Sequence, residues 1–312
     1  MGANAGSLYA FQGEVKISDN TVYIQTDNWE FIYNLLLKFN LKKLSFGTGQ
    51  PLIKSSEIKK LNMWTPDNNS EQQIIGDFLS TIKSLIALHQ RKLHILEKIK
   101  SLYVYTAFPK QGQYEPKLRF KNYDEEWQRY KLGDLADIIS GGTPSTKNPN
   151  FWDGDIDWYS PAEIGNQIYV EHSKKRITKL GLQKSNAKLL PVNTVLFTSR
   201  AGIGNTAILA KVGATNQGFQ SIIPKKALLD SYFLFTRTAE LKRYGEVNGA
   251  GSTFVEVSGK QMSKMPIIVP KIDEQIEISK MFKNIDNILA LHHGKLEQLK
   301  KIKKVYLNKM FI

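Results

Sequence analysis

The sequence predicts an α+β fold: mixed α/β globular regions joined by two long antiparallel, coiled-coil-like helices. Three observations predict it. First, the chain nearly repeats itself. Ser70-Glu71-Gln72-Gln73 leads to Ile86-Ala87-Leu88-His89-Gln90-Arg91-Lys92-Leu93, and Asp273-Glu274-Gln275 leads to Leu289-Ala290-Leu291-His292-His293-Gly294-Lys295-Leu296. Second, each copy carries an apolar stripe at three-four spacing, the pattern of a helix laid against another helix. Third, the remaining sequence alternates short β-branched and aromatic runs with glycine- and proline-rich turns. The offset of about 200 residues far exceeds solenoid or propeller periods, so this is a duplicated domain and not a stacked array. Upstream, Pro66 corresponds to Pro270, Gly47 to Gly251, and Ala3-Asn4-Ala5-Gly6-Ser7 to Gly202-Ile203-Gly204-Asn205-Thr206. Nothing matches Trp127 to Arg200 in the first copy, which is expected to lack its beginning.

Residues 1–66 read as short strands and turns. Asn20-Thr21-Val22-Tyr23-Ile24-Gln25 has strand composition. Trp29 to Asn40 places Phe31, Leu35, Leu36 and Phe39 at helical spacing. Gly47-Thr48-Gly49-Gln50-Pro51 reads as a loop, and Leu61-Asn62-Met63-Trp64-Thr65-Pro66 as a strand stopped by proline. A long helix occupies residues 67–108, with Ser70 placed to cap it and Gln73 reaching back. Its stripe is Ile75, Phe78, Ile82, Leu85, His89, Leu93, Leu96, Ile99 and Tyr103, uninterrupted by proline before Pro109. At about 1.5 Å per residue it is on the order of 50 Å long. Residues 109–126 are a polar linker, and 127–270 a complete globular unit starting at Glu126-Trp127. The second long helix fills 271–312, with the stripe Ile278, Met281, Ile285, Leu289, His292, Leu296, Leu299, Ile302 and Tyr306. The stripes match position for position, histidine included. They pack most simply on each other, since such stripes rarely persist alone in water. An antiparallel pair would set one globular unit at each end.

The 312 residues allow two domains with a core each. A formal net charge of +14 points to a polyanionic partner, nucleic acid first. The absence of cysteine excludes a disulfide framework and thiolate metal sites, and suits a reducing cytosol, so a cytoplasmic location is expected. No apolar run approaches the roughly 20 residues of a membrane span, and the N-terminus lacks the apolar core of a signal peptide. The lysines are scattered and do not line one face of a terminal amphipathic helix, which argues against a membrane-surface role.

A spaced set of motifs runs through nearly the whole chain. It comprises Trp127 with Leu132-Gly133-Asp134-Leu135, Ser140-Gly141-Gly142-Thr143-Pro144-Ser145, Trp152-Asp153-Gly154-Asp155-Ile156-Asp157-Trp158-Tyr159-Ser160 and Phe197-Thr198-Ser199-Arg200. Asn216-Gln217-Gly218-Phe219, the loop Asn248 to Thr253, Pro266 to Pro270, and the helix opening at Glu274-Gln275 complete it. In these motifs the sequence resembles the specificity subunits of type I restriction-modification systems. The resemblance implies target-recognition domains that each read one half of a split site in double-stranded DNA. It also implies two long helices that hold these domains apart and dock methyltransferase (M) subunits, through which restriction (R) subunits join. Catalysis would belong to those other chains, and no cofactor to this one. By this reading residues 1–66 are a truncated first target-recognition domain and 127–270 a complete second one. The departure puts reading of the first half-site in doubt, and self-association through the helices would restore two readers.

Within residues 140–260 the DNA-binding candidates each have a plainer explanation. Gly142, Thr143, Ser145 and Lys147 belong to a small-residue loop offering amide, hydroxyl and ammonium donors to a phosphate backbone. As bare residues they read equally as a turn after a strand, and the resemblance favours DNA. Ser199 and Arg200 follow an apolar strand; arginine can take a guanine edge or a phosphate, or form a structural ion pair. Asn216, Gln217 and Gln220 suit adenine edges and also suit strand-end caps. Tyr159 and Ser160 stand beside Trp158, where base contact competes with a place in the core. Thr253 and Lys260 lie in or near the glycine-rich Asn248–Thr253 segment, a DNA-approaching loop or a tight turn. Neither that segment nor Gly259-Lys260-Gln261 ends as a phosphate-binding loop does, which argues against nucleotide hydrolysis.

Other motifs fail on inspection. Asn148-Pro149-Asn150-Phe151 differs from the Asn-Pro-Pro-aromatic of adenine methyltransferases at Asn150, and no Gly-x-Gly loop lies upstream. Glu57-Ile58-Lys59 lacks the paired aspartate of a nuclease. His89, His94, His172, His292 and His293 do not converge with metal-ligand spacing, so no metal is expected. His89 and His292 fall on the stripes, where packing or a cross-helix hydrogen bond explains them. Partner contact on the helices is assigned to Phe78, Ile82, Leu85, His89, Ile285, Leu289 and His292. The helix lysines are mostly solvated, with some placed for DNA or acidic partners. Two other readings stay open: an interaction module that binds methyltransferase partners with little DNA specificity, and a stand-alone methyltransferase or nuclease, against which the failed motifs weigh.

Overall fold

The computed structural model describes residues 5–11, 13–18, 21–45, 52–110, 112–165, 167–200, 202–250 and 256–311. In chain order it contains α1 (Trp29–Phe39), α2 (Ser55–Lys59), α3 (Asn69–Thr106), β1 (Gln128–Lys131), α4 (Leu132–Leu135), β2 (Ala136–Ser140) and β3 (Trp152–Tyr159). Then come β4 (Tyr169–Val170), β5 (Lys175–Ile177), α5 (Lys179–Gln183), β6 (Val195–Thr198), β7 (Thr206–Leu209), β8 (Ala214–Thr215) and β9 (Phe219–Pro224). Finally α6 (Ser231–Thr236), α7 (Thr238–Asn248), α8 (Gly259–Ser263), β10 (Pro266–Val269) and α9 (Ile272–Met310) complete the chain. The predicted α+β class and both long helices are present. The chain forms two compact units: unit 1, Met1–Glu97 with Ile288–Ile312, and unit 2, Lys98–Asn287.

In unit 1 the long helices run antiparallel, because Phe78 meets Tyr306 edge-on at 4.9 Å between ring centroids while His89 meets His292 further along. The two imidazoles share a hydrogen bond, Nδ1 to Nδ1 at 2.8 Å, one donating and the other accepting. Helix α1 buries its apolar face on this pair: Phe31 and Leu35 pack with Ile75, Leu79 and Phe311. Burying a phenylalanine of this kind contributes about 1.5–3 kcal/mol. Gly76 permits the approach, since a Cβ there would lie 2.9 Å from the Phe31 backbone nitrogen. Asn40 ends α1 in the left-handed region (φ 61°), donating its N–H to the Leu36 carbonyl.

Three expectations for this unit are corrected. Residues 21–25 and 61–66 join no strand; Val22, Tyr23 and Ile24 are all exposed, so no neighbour covers either face of the run. Asn20 and the Gly47–Pro51 loop lie outside the described residues. The cap of α3 is Asn68, whose Oδ1 accepts from the Ser70 N–H at 2.8 Å. Because the helix already begins at Asn69, Ser70 lies inside its first turn, and Gln73 donates to Asp77 instead.

Each long helix opens with the same latch. Gln72 Nε2 donates to the Pro66 carbonyl at 2.8 Å, and Gln275 Nε2 to the Pro270 carbonyl at 2.9 Å. Their Oε1 atoms accept from Asn28 Nδ2 and from the Asp230 backbone N–H respectively.

Unit 2 is built on three sheets: β1-β10, β2-β9-β6-β7-β4 and β5-β3-β8. Strands β6 and β7 are buried at every position, covered on both faces. The main core gathers Trp127, Phe233 and Phe282 with Phe108, which stacks on Phe282 at 6.0 Å between ring centroids. A second core holds Tyr159, Leu196, Leu209 and Phe219, and a third Trp158, Ile177 and Ala214. The helix ends belong to this unit too. Asp286, buried, accepts from Lys100 Nζ at 2.6 Å and from Tyr232 Oη at 2.7 Å.

Candidate nucleic-acid interface

The strand ends of unit 2 assemble a polar rim. Register places Ser140 opposite Gln220 and Thr198 opposite Phe219, so β2, β6 and β9 finish at one edge. The parallel pairing of Tyr159 with Thr215 ends the neighbouring sheet at the same segment. The loop after β2 is pinned there. Gly142 donates its N–H to the Thr215 carbonyl at 2.9 Å and accepts the Trp158 indole N–H at 2.9 Å. Close approach dictates the glycine pair: a Cβ at Gly141 would lie 2.1 Å from the Asn216 carbonyl oxygen, and one at Gly142 would lie 2.4 Å from the Ala187 backbone nitrogen. Thr143 Oγ1 donates to Gln217 Oε1 at 2.5 Å. Asn216 Oδ1 turns the chain by accepting from the Gly218 N–H at 2.8 Å, and Ser199 donates its N–H to the Gly218 carbonyl at 2.8 Å.

This network brings Gly142, Thr143, Tyr159, Ser160, Ser199, Arg200, Asn216, Gln217 and Gln220 to one edge, with Lys260 following Gly259, whose backbone approaches Gln220. Ser145 and Lys147 are exposed on the same loop further out. Thr253 lies outside the described residues.

The side chains then divide. Thr143, Ser145, Lys147, Arg200, Gln217 and Lys260 are exposed, and Ser160 and Asn216 are half-buried. Tyr159, Ser199 and Gln220 point inward and show at most 3% of their surface. Gln220 Oε1 accepts from Ser140 Oγ at 2.9 Å, which is a strand-end role. The Tyr159 hydroxyl and Ser199 Oγ have no hydrogen-bond partner among the described residues. Burial pushes the Tyr159 phenol well above its ordinary range, and the nearby Asp157 and Glu163 carboxylates add to this, so it stays neutral. Ser160 is spent on a capping box with Glu163, its Oγ and N–H both donating to Oε1. Arg200 Nε pairs with Glu256 Oε1 at 2.9 Å, yet both remain over 40% exposed, so water or a polyanion can compete for the guanidinium.

Sequence reasoning missed Lys184 to Lys188. The Asn186–Ala187 backbone lies against Gly142, which brings exposed Lys184, Asn186 and Lys188 beside the loop. Their signal in the sequence was a short mix of basic and amide residues with no periodicity. On the helices, Ile82 is buried, Phe78 stacks on Tyr306, and His89 bonds His292; Ile285 and Leu289 are half-buried, and Leu85 is 39% exposed. Among the described residues no three histidine or acidic side chains are grouped to hold a metal ion, and no helix is long and apolar enough to cross a membrane.

Unit 2 carries its polar rim on small sheets packed beside the ends of two long helices, an α+β class of domain. The model of the type I restriction modification DNA specificity domain matches residues 1–98 and 124–301, and the chain belongs to that family. It is 33% identical over 181 residues to the type I restriction enzyme MjaIX specificity subunit of Methanocaldococcus jannaschii, covering 57% of this chain and 42% of that protein. It spans about half the length of the curated relatives it matches. Its fold resembles the type I restriction-modification S subunit from M. genitalium (TM-score 0.61, 16% identity, covering 91% of this chain and 72% of that one). It also resembles the HsdS subunit from Thermoanaerobacter tengcongensis (TM-score 0.55, 19% identity, covering 90% and 69%).

Proposed function

We propose that the chain recognises DNA sequence as the specificity component of a type I restriction-modification assembly, with the rim of unit 2 as its reading edge. The observation that carries this is the exposed set Thr143, Lys147, Arg200, Gln217 and Lys260, held on or beside pinned strand ends in a member of the specificity family. Hydroxyl and amide groups offer base contacts, and the cations offer phosphate contacts that fix register. The wider excess of positive charge supplies affinity that falls as salt rises. Residues 127–270 form the reading domain, M subunits dock on the long helices, and R subunits join through them. Methylation and cleavage are the work of those chains, and the target is split.

The test mixes the full chain with its M subunits and sequences the methylated sites, for the native protein and for Arg200→Ala. The variant is expected to assemble normally while methylating fewer or less specific sites. Unchanged affinity and specificity would overturn the assignment of Arg200. Assembly with no sequence preference in the native protein would make the chain an interaction module.

A further inference from the structure

In unit 2 a buried ion pair ties the long helices together. Lys100 Nζ donates to Asp286 Oδ1 at 2.6 Å, and the second carboxylate oxygen accepts from Tyr232 Oη at 2.7 Å. The internal repeat maps this pair onto unit 1. His89 corresponds to His292, and the same offset sets Lys83 at the place of Asp286 and Lys303 at the place of Lys100. Because the helices run antiparallel, exchanging them carries one pair onto the other. An ion pair in one unit is therefore two cations in the other.

The surroundings hold these cations together. Lys303 is half-buried, and burial, then the charge of Lys83, hold its ammonium below the ordinary value. Lys83 Nζ stands 4.6 Å from the centre of the Tyr33 ring, a contact that fixes the head of an otherwise flexible side chain. Neither lysine has an acidic partner among the described residues. Like charges on a merely solvated face splay apart into water. Here one of them is half-buried within electrostatic reach of the other, which costs free energy until an anion neutralises both.

We propose that Lys83 and Lys303, with Tyr33 beside them, bind one phosphate group of a duplex DNA backbone. A phosphodiester shares its charge over two free oxygens, one for each ammonium, and takes the place that the Asp286 carboxylate fills in unit 2. Residues 295–309 of α9 hold six lysines against one glutamate. Such a run suits a ligand whose negative charges recur along a chain better than a single acidic side chain. The inference rests on the proposed DNA function, but no residue of the reading rim takes part in it.

The probe is a fluorescein-labelled duplex of random sequence, titrated with the full chain by anisotropy at several salt concentrations. Lys83→Gln/Lys303→Gln should lower the slope of log affinity against log salt by about 0.9, one phosphate's worth, and the affinity about eightfold at 0.1 M salt. No fall, or a fall of about 1.8 as two separate contacts would give, would overturn the proposal. So would an equal fall in Lys59→Gln/Lys60→Gln, the same charge change on two exposed lysines of unit 1. Lys83→Asp copies unit 2: it should melt about 3 °C higher by circular dichroism, through an ion pair with Lys303, and lose the same DNA contact. A lower melting temperature would mean that the two side chains do not face each other, and would overturn the site. Inorganic phosphate at constant ionic strength should raise the melting temperature of the native chain more than that of Lys83→Asp. That rise with an unchanged DNA slope would make free phosphate the ligand and overturn the assignment to DNA. An unchanged slope with lost assembly of the double variant with M subunits would mark an acidic protein partner, and overturn it equally. Random sequence separates the two proposals: sequence-selective methylation with an unchanged slope removes this inference alone, and the reverse removes only the reading edge.

Discussion

In unit 2 Arg119 takes the buried Glu274 carboxylate in two parallel bonds, at 2.8 and 2.9 Å, and replacing it with methionine isolates the contribution of that pair. Methionine keeps most of the side-chain volume and leaves the Glu274 carboxylate, 2% exposed, facing an apolar wall with only the long Trp127 contact. Removing one partner of a buried pair costs about 3–5 kcal/mol, because an uncompensated charge remains. Arg119 is itself 15% exposed, which admits some water and places this case near the lower end. Unit 2 spans residues 98–287. At that size about 3 kcal/mol lowers Tm by about 6–12 °C. Calorimetry on Arg119→Met, Glu274→Met and the double variant reads the effect. The double variant should recover much of the loss, since an apolar pair of similar volume often matches a buried ion pair. An Arg119→Met protein melting within about 2 °C of the native one would refute the reasoning, as the expected shift is several times larger.

Three further outcomes follow. Burial, then the neighbouring His89, Lys92 and Lys295, hold the His292 imidazole below its ordinary value. The neutral His292 imidazole is therefore favoured in folded unit 1, whose stability is full above about pH 6.5 and is lost as pH falls below it; the helix melting temperature by circular dichroism should drop between about pH 7 and 5 in the native chain and much less in His89→Leu/His292→Leu. Gly142→Ala drives a Cβ into the Asn186–Ala187 backbone, costing about 1–3 kcal/mol in urea unfolding, and it should weaken DNA binding by displacing Thr143. Tyr159→Phe removes a buried hydroxyl without a partner; stability should rise by about 1 kcal/mol, with DNA affinity unchanged in a filter-binding titration. A drop in affinity would return Tyr159 to the contact set.

The long helices were legible because their information is local and periodic: three-four spacing from Ile75 to Tyr103 and from Ile278 to Tyr306 needs no knowledge of the partner. Strands carry no such guarantee. Val22-Tyr23-Ile24 has strand composition but no ladder to join, since a strand exists only with a neighbour that sequence composition does not name. The same gap explains the rim. Thr143, Arg200 and Gln217 stand out in the sequence as polar residues near turns and strand ends, and the structure leaves them exposed. Which way Ser199 and Gln220 would face depends on register and on layers covering both sides of β6, and that is tertiary information. Asn68 was missed as the cap because Ser70 fits the same pattern two residues later, and only the helix start distinguishes them.

The glutamine latch has a consequence for how such chains change. Gln72 reaches back to Pro66 and Gln275 to Pro270, while the same side chains accept from Asn28 and from the Asp230 N–H upstream. Each junction is therefore half local and half borrowed: sequence spliced in upstream of the proline keeps the glutamine satisfied only if it brings a donor to the place of Asn28 or Asp230.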